Sequence, residues 1–316
     1  MALVTVSLLV LFPSPPLIAD PYRIAVFDYD IRSPGEKTVA RHIEQQLAGA
    51  GLGEHMIQQF CGEENEGRAA IILAGLESQQ YDLIITITSD AMAPAFHQIR
   101  RTPWLFTNVN NPKIFGIRDP KKPGRNMSGV TYYVPVGRQL ELFQAIMGGR
   151  MKKIGLIFDL LSKSRRAELG EFRLMASVMG LEYRIELLKS PQELPSSAQR
   201  LIHQKVDGII LTSSDALYNN VHLILDRCTR AKTPIFSVHQ TGVAAGAIAA
   251  YASDYFRMVD ECLIPMAVSV LKEKKNPGDM PVRQVKNPSI YLNATQAKKL
   301  GIAIPADILQ KAVIVY

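Results

Sequence analysis

At 316 residues the chain is longer than a single hydrophobic core usually grows, so two domains are expected. Its 47% hydrophobic and 7% aromatic content, with one Trp, is that of a globular protein and argues against an all-β or a membrane protein. The formal net charge of +7 is carried by scattered Lys and Arg. The densest runs, Lys121 with Lys122 and Lys272 with Lys274 and Lys275, fall in loops or at a helix end, so they read as solvated surface charge and no nucleic-acid partner is expected.

The chain opens on an apolar stretch, residues 1–12, followed by residues 13–19 and a small residue, Ala19, before Asp20. This pattern resembles a secretory signal with cleavage after Ala19, or, since no Lys or Arg precedes the apolar run, a short apolar leader or anchor. The run is short for a membrane-spanning helix, and no later segment reaches about 18 uninterrupted apolar residues. An exported, soluble protein with an extracytoplasmic, periplasmic location is therefore expected. Cys61, Cys228 and Cys262 are far apart and odd in number, so no disulfide framework is implied. None sits at the end of the apolar segment, which argues against a lipid-anchored cysteine.

From residue 23 onward, short β-branched runs alternate with stretches of helical period. Strands are expected over residues 23–27, 55–60, 82–87 and 104–109, separated by helices near 36–50, 67–78 and 90–100. A loop rich in Pro, Gly and basic residues, 110–125, leads to a β-prone run at 126–133 and a helix starting near Pro135. The order then repeats: strands at 153–158, 182–187, 208–211 and 234–238, with helices near 164–179, 191–203 and 215–230. A Gly- and Ala-rich irregular stretch, 241–252, precedes a long helix at 254–272, and a final helix is expected over 293–300.

Strand, helix and parallel strand joined by right-handed crossovers force a sheet covered on both faces. The fold expected is α/β, with two doubly wound parallel-sheet lobes joined by a hinge of three segments, the topology of a type I periplasmic binding protein. The three crossings are placed at 126–133, 241–252 and 282–291. The first lobe is expected to hold residues 20–131 and 253–281, and the second 132–252 and 282–316.

Several stretches resemble the solute-binding components of ABC transporters, of the kind that includes tryptophan and other aromatic amino acid binders. They are Gly124 Arg125 Asn126 Met127 Ser128 Gly129 Val130, then Gln139 Leu140 Glu141 Leu142 Phe143, then Lys153 Ile154 Gly155 Leu156 Ile157 Phe158. Further on come Gly246, Ala247, Tyr251, Asp254 and Tyr255, and the run from Asn293 and Ala294 through Ala297 Lys298 Lys299 Leu300 Gly301 Ile302 to Pro305. The chain departs from the family in having Asn110 Asn111 Pro112 where many relatives carry Asp before Pro, and Asp159 Leu160 Leu161 Ser162 Lys163 Ser164 in place of a short Asn, Pro and Ser loop. The resemblance implies a small-molecule ligand, an amino acid or similar molecule and aromatic ones included, and a membrane permease as partner.

In open α/β sheets a ligand binds beyond the carboxyl ends of the strands, where helix N-termini point free N–H groups inward. Strand ends give Asp28 and Asp30, then Thr88 and Ser89, then Asn110 and Asn111 in the first half. The second half gives Ser162, Ser164, Asp215 and His239, with Asp254 at the start of the long helix. Thr88 and Ser89 suit a ligand carboxylate, while Asp215 and Asp254 suit an ammonium, because a buried charge demands a partner. Ser89 and Asp215 read equally well as helix N-caps, and Tyr133, Phe158, Tyr218 and Tyr255 as either an aromatic wall or core.

Gly49 Ala50 Gly51 Leu52 Gly53 follows a helix and precedes a strand, the reverse of a dinucleotide-binding turn, and reads as a helix C-cap. No Walker-type lysine loop and no His and Glu pair at metal-ligand spacing is found, so neither cofactor nor metal is expected, nor an enzyme. A repressor of the lactose type needs a helix-turn-helix before the first strand, and with an apolar stretch in that place none is expected. A monomeric binding protein that closes on its ligand is the expectation, with a receptor domain for a sensor kinase as the alternative and an enzyme on the same lobes third.

Overall fold

The computed structural model describes residues 22–29, 39–52 and 56–316. The apolar leader and Asp30 lie outside them.

In the first lobe β1 (Ile24–Asp28), β2 (Ile57–Cys61), β3 (Leu83–Ile87), β4 (Trp104–Val109) and β5 (Met127–Thr131) pair in parallel, in the order β2-β1-β3-β4-β5. Every residue of β1, β3 and β4 is buried, as apolar runs without alternation predict for strands covered on both faces. The crossovers are α1 (Val39–Gly49), α2 (Glu66–Ser78) and α3 (Ser89–Gln98). On one face Ile24, Val26 and Ile85 meet Ile43 and Leu47 of α1; on the other Phe27, Trp104 and Phe106 meet Leu73 and Leu76 of α2. Gly129 lets β5 approach β4 closely, since a Cβ there would lie 2.1 Å from the Phe106 carbonyl oxygen. The Gly51 amide donates to Ala48 O and the Leu52 amide to Leu47 O, with Gly51 at φ +67°, so Gly51 forms a left-handed helix end.

The chain then enters the second lobe through α4 (Val136–Ile146). There β6 (Lys153–Asp159), β7 (Glu182–Leu188), β8 (Gly208–Leu211) and β9 (Ile235–Ser237) form a parallel sheet in the order β7-β6-β8-β9, connected by α5 (Arg165–Val178), α6 (Leu194–His203), α7 (Asp215–Tyr218) and α8 (His222–Arg230). A single helix over 215–230 was expected; the pair Asn219 and Asn220, poor helix formers, separates α7 from α8.

The stretch 241–252, expected to be irregular, instead holds α9 (Gln240–Ala244) and β10 (Ala249–Ala252). Small side chains make both possible: Gly242 sits where a Cβ would be 2.3 Å from Ser237 Oγ, and Ala249, Ala250 and Ala252 are buried. Next come α10 (Tyr255–Met258), a π-helical turn over Val259–Leu263 and α11 (Ile264–Leu271). The long helix expected here is thus one run carrying a π turn beside Pro265, which has no N–H to donate into the preceding turn. It packs on the first sheet through Met258, Leu263, Met266 and Val270.

The last segment forms β11 (Ser289–Leu292), α12 (Ala294–Lys299), α13 (Ala306–Lys311) and β12 (Ala312–Val315). Strand β11 pairs antiparallel with β10 and parallel with β12, so a small mixed sheet adjoins the parallel one. The chain passes between the cores after β5, after β10 and after Val285. Arg283 pairs with β5 just before the third passage, its N–H donating to Gly129 O at 2.8 Å and its O accepting from Thr131 N at 2.9 Å.

Candidate ligand cleft between the lobes

Each parallel sheet has the strand order in which the first strand lies inside the second, so each has a switch point where neighbouring crossovers leave on opposite faces and a crevice opens. The two crevices face each other. Asn110, beyond β4, donates from Nδ2 to Ser213 Oγ, beyond β8, at 3.1 Å. At the rim Lys163 Nζ lies 3.5 Å from Glu66 Oε2, an exposed pair of small energetic weight.

Between the lobes four rings form a chain. Tyr218 stacks on His239 with centroids 4.8 Å apart, while His239 meets Tyr255 at 4.7 Å and Tyr255 meets Tyr132 at 5.6 Å in tilted contacts. Tyr218 and His239 are 3% and 5% exposed. Burial pushes the His239 imidazole down to about 4, against the opposing pull of Asp254, so the ring is neutral at pH 7. Its Nδ1 accepts from the Thr241 amide at 3.3 Å, which places the proton on Nε2, and that atom has no partner. The hydroxyls of Tyr218, Thr88 and Ser253 are likewise buried and unpartnered. Buried polar atoms are rarely left unpaired, and a group of them at facing crevices points to a bound polar ligand.

Beside the rings the cleft is acidic. The Tyr132 hydroxyl is raised by burial first, then by the charges of Glu168, Asp215 and Asp90, with a Ser213 hydrogen bond opposing. Glu168 is 8% exposed, and each carboxylate oxygen lies 3.2 Å from Ser213 N, with Ser213 Oγ donating at 3.1 Å. Desolvation nevertheless outweighs those bonds and, helped by Glu171, pushes Glu168 up to about 7. Among the described residues no group of three His, Cys, Asp or Glu side chains is placed to hold a metal ion.

The expected residues divide. Asn110, Asn111 and Ser164 line the cleft, and His239 sits in the ring chain. Thr88 holds the N-cap position of α3 at φ +83°, a conformation that strains a β-branched residue and that marks functional turns. Ser89 accepts the Asn110 amide on its Oγ at 3.0 Å, which ties the two crevice loops together. Asn111 caps the turn Pro112–Phe115 through the Lys113 amide at 3.1 Å, and Ser162 donates to Ser213 O at 3.1 Å. Asp28 lies buried at the end of β1, and Asp215 opens α7. Asp254, whose charge reaches His239, accepts on Oδ1 from Phe256 N at 2.9 Å and Arg257 N at 3.0 Å and on Oδ2 from Tyr291 Oη at 3.3 Å. It is a helix cap, with acceptor capacity left on Oδ2. Of the aromatics, Tyr218 and Tyr255 join the ring chain and Tyr133 lines the cleft, while Phe158 is core.

Sequence reasoning missed Tyr132, Gln139 and Glu168. Glu168 stands one turn after Ser164, where an acid in the first turn of a helix reads as dipole compensation. The available signal was that Ser164 and Glu168 share a face of α5 pointing toward the crevice.

The chain is 24% identical over 226 residues to the tyrosine-binding protein of Clostridioides difficile (strain R20291), a match covering 71% of this chain and 64% of the length of that relative. Among solved structures it resembles an ABC domain in complex with L-Trp from Streptococcus pneumonia, with 24% identity, a TM-score of 0.82 and coverage of 94% of this chain and 100% of that one. It also resembles the ligand-free, open structure of a substrate binding protein with adhesive properties from Clostridium difficile, with 22% identity, a TM-score of 0.75 and coverage of 93% and 99%. These structural likenesses establish the type I periplasmic binding fold. The family model for ABC transporter substrate binding proteins matches residues 24–316, and the chain belongs to that family.

Proposed function

We propose that the chain is the extracytoplasmic solute-binding component of an ABC importer and that it takes an amino acid with an aromatic side chain between its lobes. The ring chain of Tyr218, His239, Tyr255 and Tyr132, flanked by unpartnered buried polar atoms, carries this reading. Aromatic faces accept a planar group, and the relatives that bind tyrosine and L-Trp support that chemistry. Thr88 Oγ1 and the first-turn N–H groups of α3 suit the ligand carboxylate, with Ser89 holding the loop. The acidic side, where Asp90, Asp215 and Glu168 act together on Tyr132, suits the ammonium.

In this reading the lobes, 20–131 with 253–281 and 132–252 with 282–316, open and close about the three passages. A ligand touching both lobes favours the closed form, which then docks on a permease. The protein acts as a monomer and turns over no substrate, and the apolar leader serves export. Calorimetric titration with L-tryptophan, L-tyrosine, L-phenylalanine, L-leucine, a purine and a sugar tests it. Binding of aromatic amino acids at one site, well above the others, is expected; preference for a sugar or purine overturns the assignment.

A further inference from the structure

At the pole of the first lobe opposite the cleft, the strands of the sheet start side by side: Asp82 N donates to Arg23 O and Trp104 N to Asn126 O, each at 2.9 Å. Basic residues that are scattered along the sequence meet at this pole. Arg125 donates to the carbonyl oxygens of Phe96 and Ile99 at the end of α3, and its guanidinium lies over the Phe96 ring at 4.4 Å. Burial lowers the Arg125 guanidinium and the like charge of Arg100 lowers it further, so the two cations are neighbours. Gly124 N donates to Gly278 O at 2.9 Å, which brings Lys121 and Lys122 beside the turn that follows α11. There Lys272 Nζ donates to Ala50 O at 2.9 Å, beyond the end of α1, and Lys274 Nζ lies 5.1 Å from the centre of the Tyr22 ring.

Acidic residues offset only part of this charge. Lys122 pairs with Asp279 at 3.2 Å, Lys275 with Glu273 at 2.6 Å and Arg101 with Glu77 at 3.7 Å, while Asp82 and Asp119 accept from the Arg23 and Lys121 amides at 2.8 and 2.9 Å. Lys272 and Arg125 serve helix ends, the ordinary place for a cation. Arg100, Lys121 and Lys274 are exposed in the turns beyond, and among the described residues none of them is in an ion pair.

We propose that this pole docks on an anionic lipid surface, with lipid phosphates as the counter-charge to Arg100, Lys121 and Lys274. The sign of the unmatched charge selects an anionic partner. The place where the chain enters the fold selects a lipid: the apolar leader, residues 1–12, lies just ahead of Tyr22, whose ring is under Lys274. An apolar segment and a basic patch together hold a chain on a membrane where either alone is weak. The cleft is at the other ends of the strands, so a chain resting on this pole leaves it open to solvent, and docking on a permease follows release.

The test is co-sedimentation of the full chain with vesicles of phosphatidylcholine, alone or carrying about a third phosphatidylglycerol; no amino acid is added, so the result is independent of what the cleft binds. Binding to the anionic vesicles should be about tenfold or more tighter at about 0.1 M salt, and the difference should vanish at about 1 M, where the screening length is about 3 Å. Each Lys or Arg near such a surface contributes about fivefold, so Arg100→Gln, Lys121→Gln and Lys274→Gln together should bring anionic binding down to the neutral level. Lys152→Gln, Lys205→Gln and Lys232→Gln remove the same charge at the strand starts of the second lobe and should change binding by less than about twofold. Circular dichroism melts check that both triple variants keep the fold. Equal binding to neutral and anionic vesicles overturns the proposal, because the leader alone then holds the chain. Equal losses in the two triple variants also overturn it, because net charge then acts without a site. Displacement from the anionic vesicles by a duplex oligonucleotide at equal phosphate concentration overturns lipid as the occupant.

Discussion

Asn110 and Ser213, on different lobes, are joined at 3.1 Å, and Ser213 in turn donates from both N and Oγ to Glu168. One side-chain relay therefore links closure of the cleft to the buried carboxylate of the second lobe. Anything that changes the charge of Glu168 acts on the residue that receives the first lobe.

Asn110→Ala should weaken ligand affinity roughly 3- to 10-fold, the value of one hydrogen bond lost from the closed state. The contact is absent when the lobes part, so the variant should keep its fold. Calorimetry with an aromatic amino acid and a thermal melt of the free protein check the two halves of the claim.

Glu168 and His239 give opposite pH dependences of stability. The Glu168 pKa lies near 7 in the folded protein against 4.5 ordinarily, so between those values the unfolded chain holds fewer protons. Stability therefore falls as pH rises through that window, on the order of 3 kcal/mol at about 1.4 kcal/mol per unit. His239 lies near 4 against 6.5, so the unfolded chain holds more protons and stability rises with pH across that range. Melts of Glu168→Gln should show only the rise, and melts of His239→Gln only the fall.

Thr88→Gly should do two things at once. Relief of the φ +83° strain should stabilise the free protein by about 1 kcal/mol, since glycine adopts that backbone without steric conflict. Loss of the hydroxyl should weaken ligand binding. Denaturant midpoints and calorimetry measure the pair, and a variant that binds normally removes Thr88 from the site.

Asp254→Ala and Asp215→Asn should separate a cap from a ligand-facing charge. The first loses bonds to Phe256 N and Arg257 N and should cost about 0.5–2 kcal/mol of stability with little change in affinity. The second should weaken binding of ammonium-bearing ligands more than it weakens binding of ligands without an ammonium.

The lobes were legible because buried parallel strands are written as apolar runs such as Ile24–Asp28 and Leu83–Ile87, and their polar ends mark the crevice. Asn110 and His239 followed from that rule alone. Tyr132 was not, because it continues a β-prone run, and Gln139 and Glu168 were not, because each looks like an ordinary helix residue until α4, α5 and the loop after β8 converge. Asp254 has a second role that its place at a helix start makes legible: its carboxylate caps the backbone of α10. Helix α13 and strand β12 were passed over because a six-residue helix and a four-residue strand carry little periodicity.

The central claim is that a small molecule holds the two lobes together. Small-angle X-ray scattering of the purified chain, titrated with L-tyrosine and L-tryptophan, tests it most directly. A radius of gyration that shrinks and saturates at one ligand per chain is the predicted result. Calorimetrically verified binding that leaves the scattering curve unchanged at every concentration would contradict it.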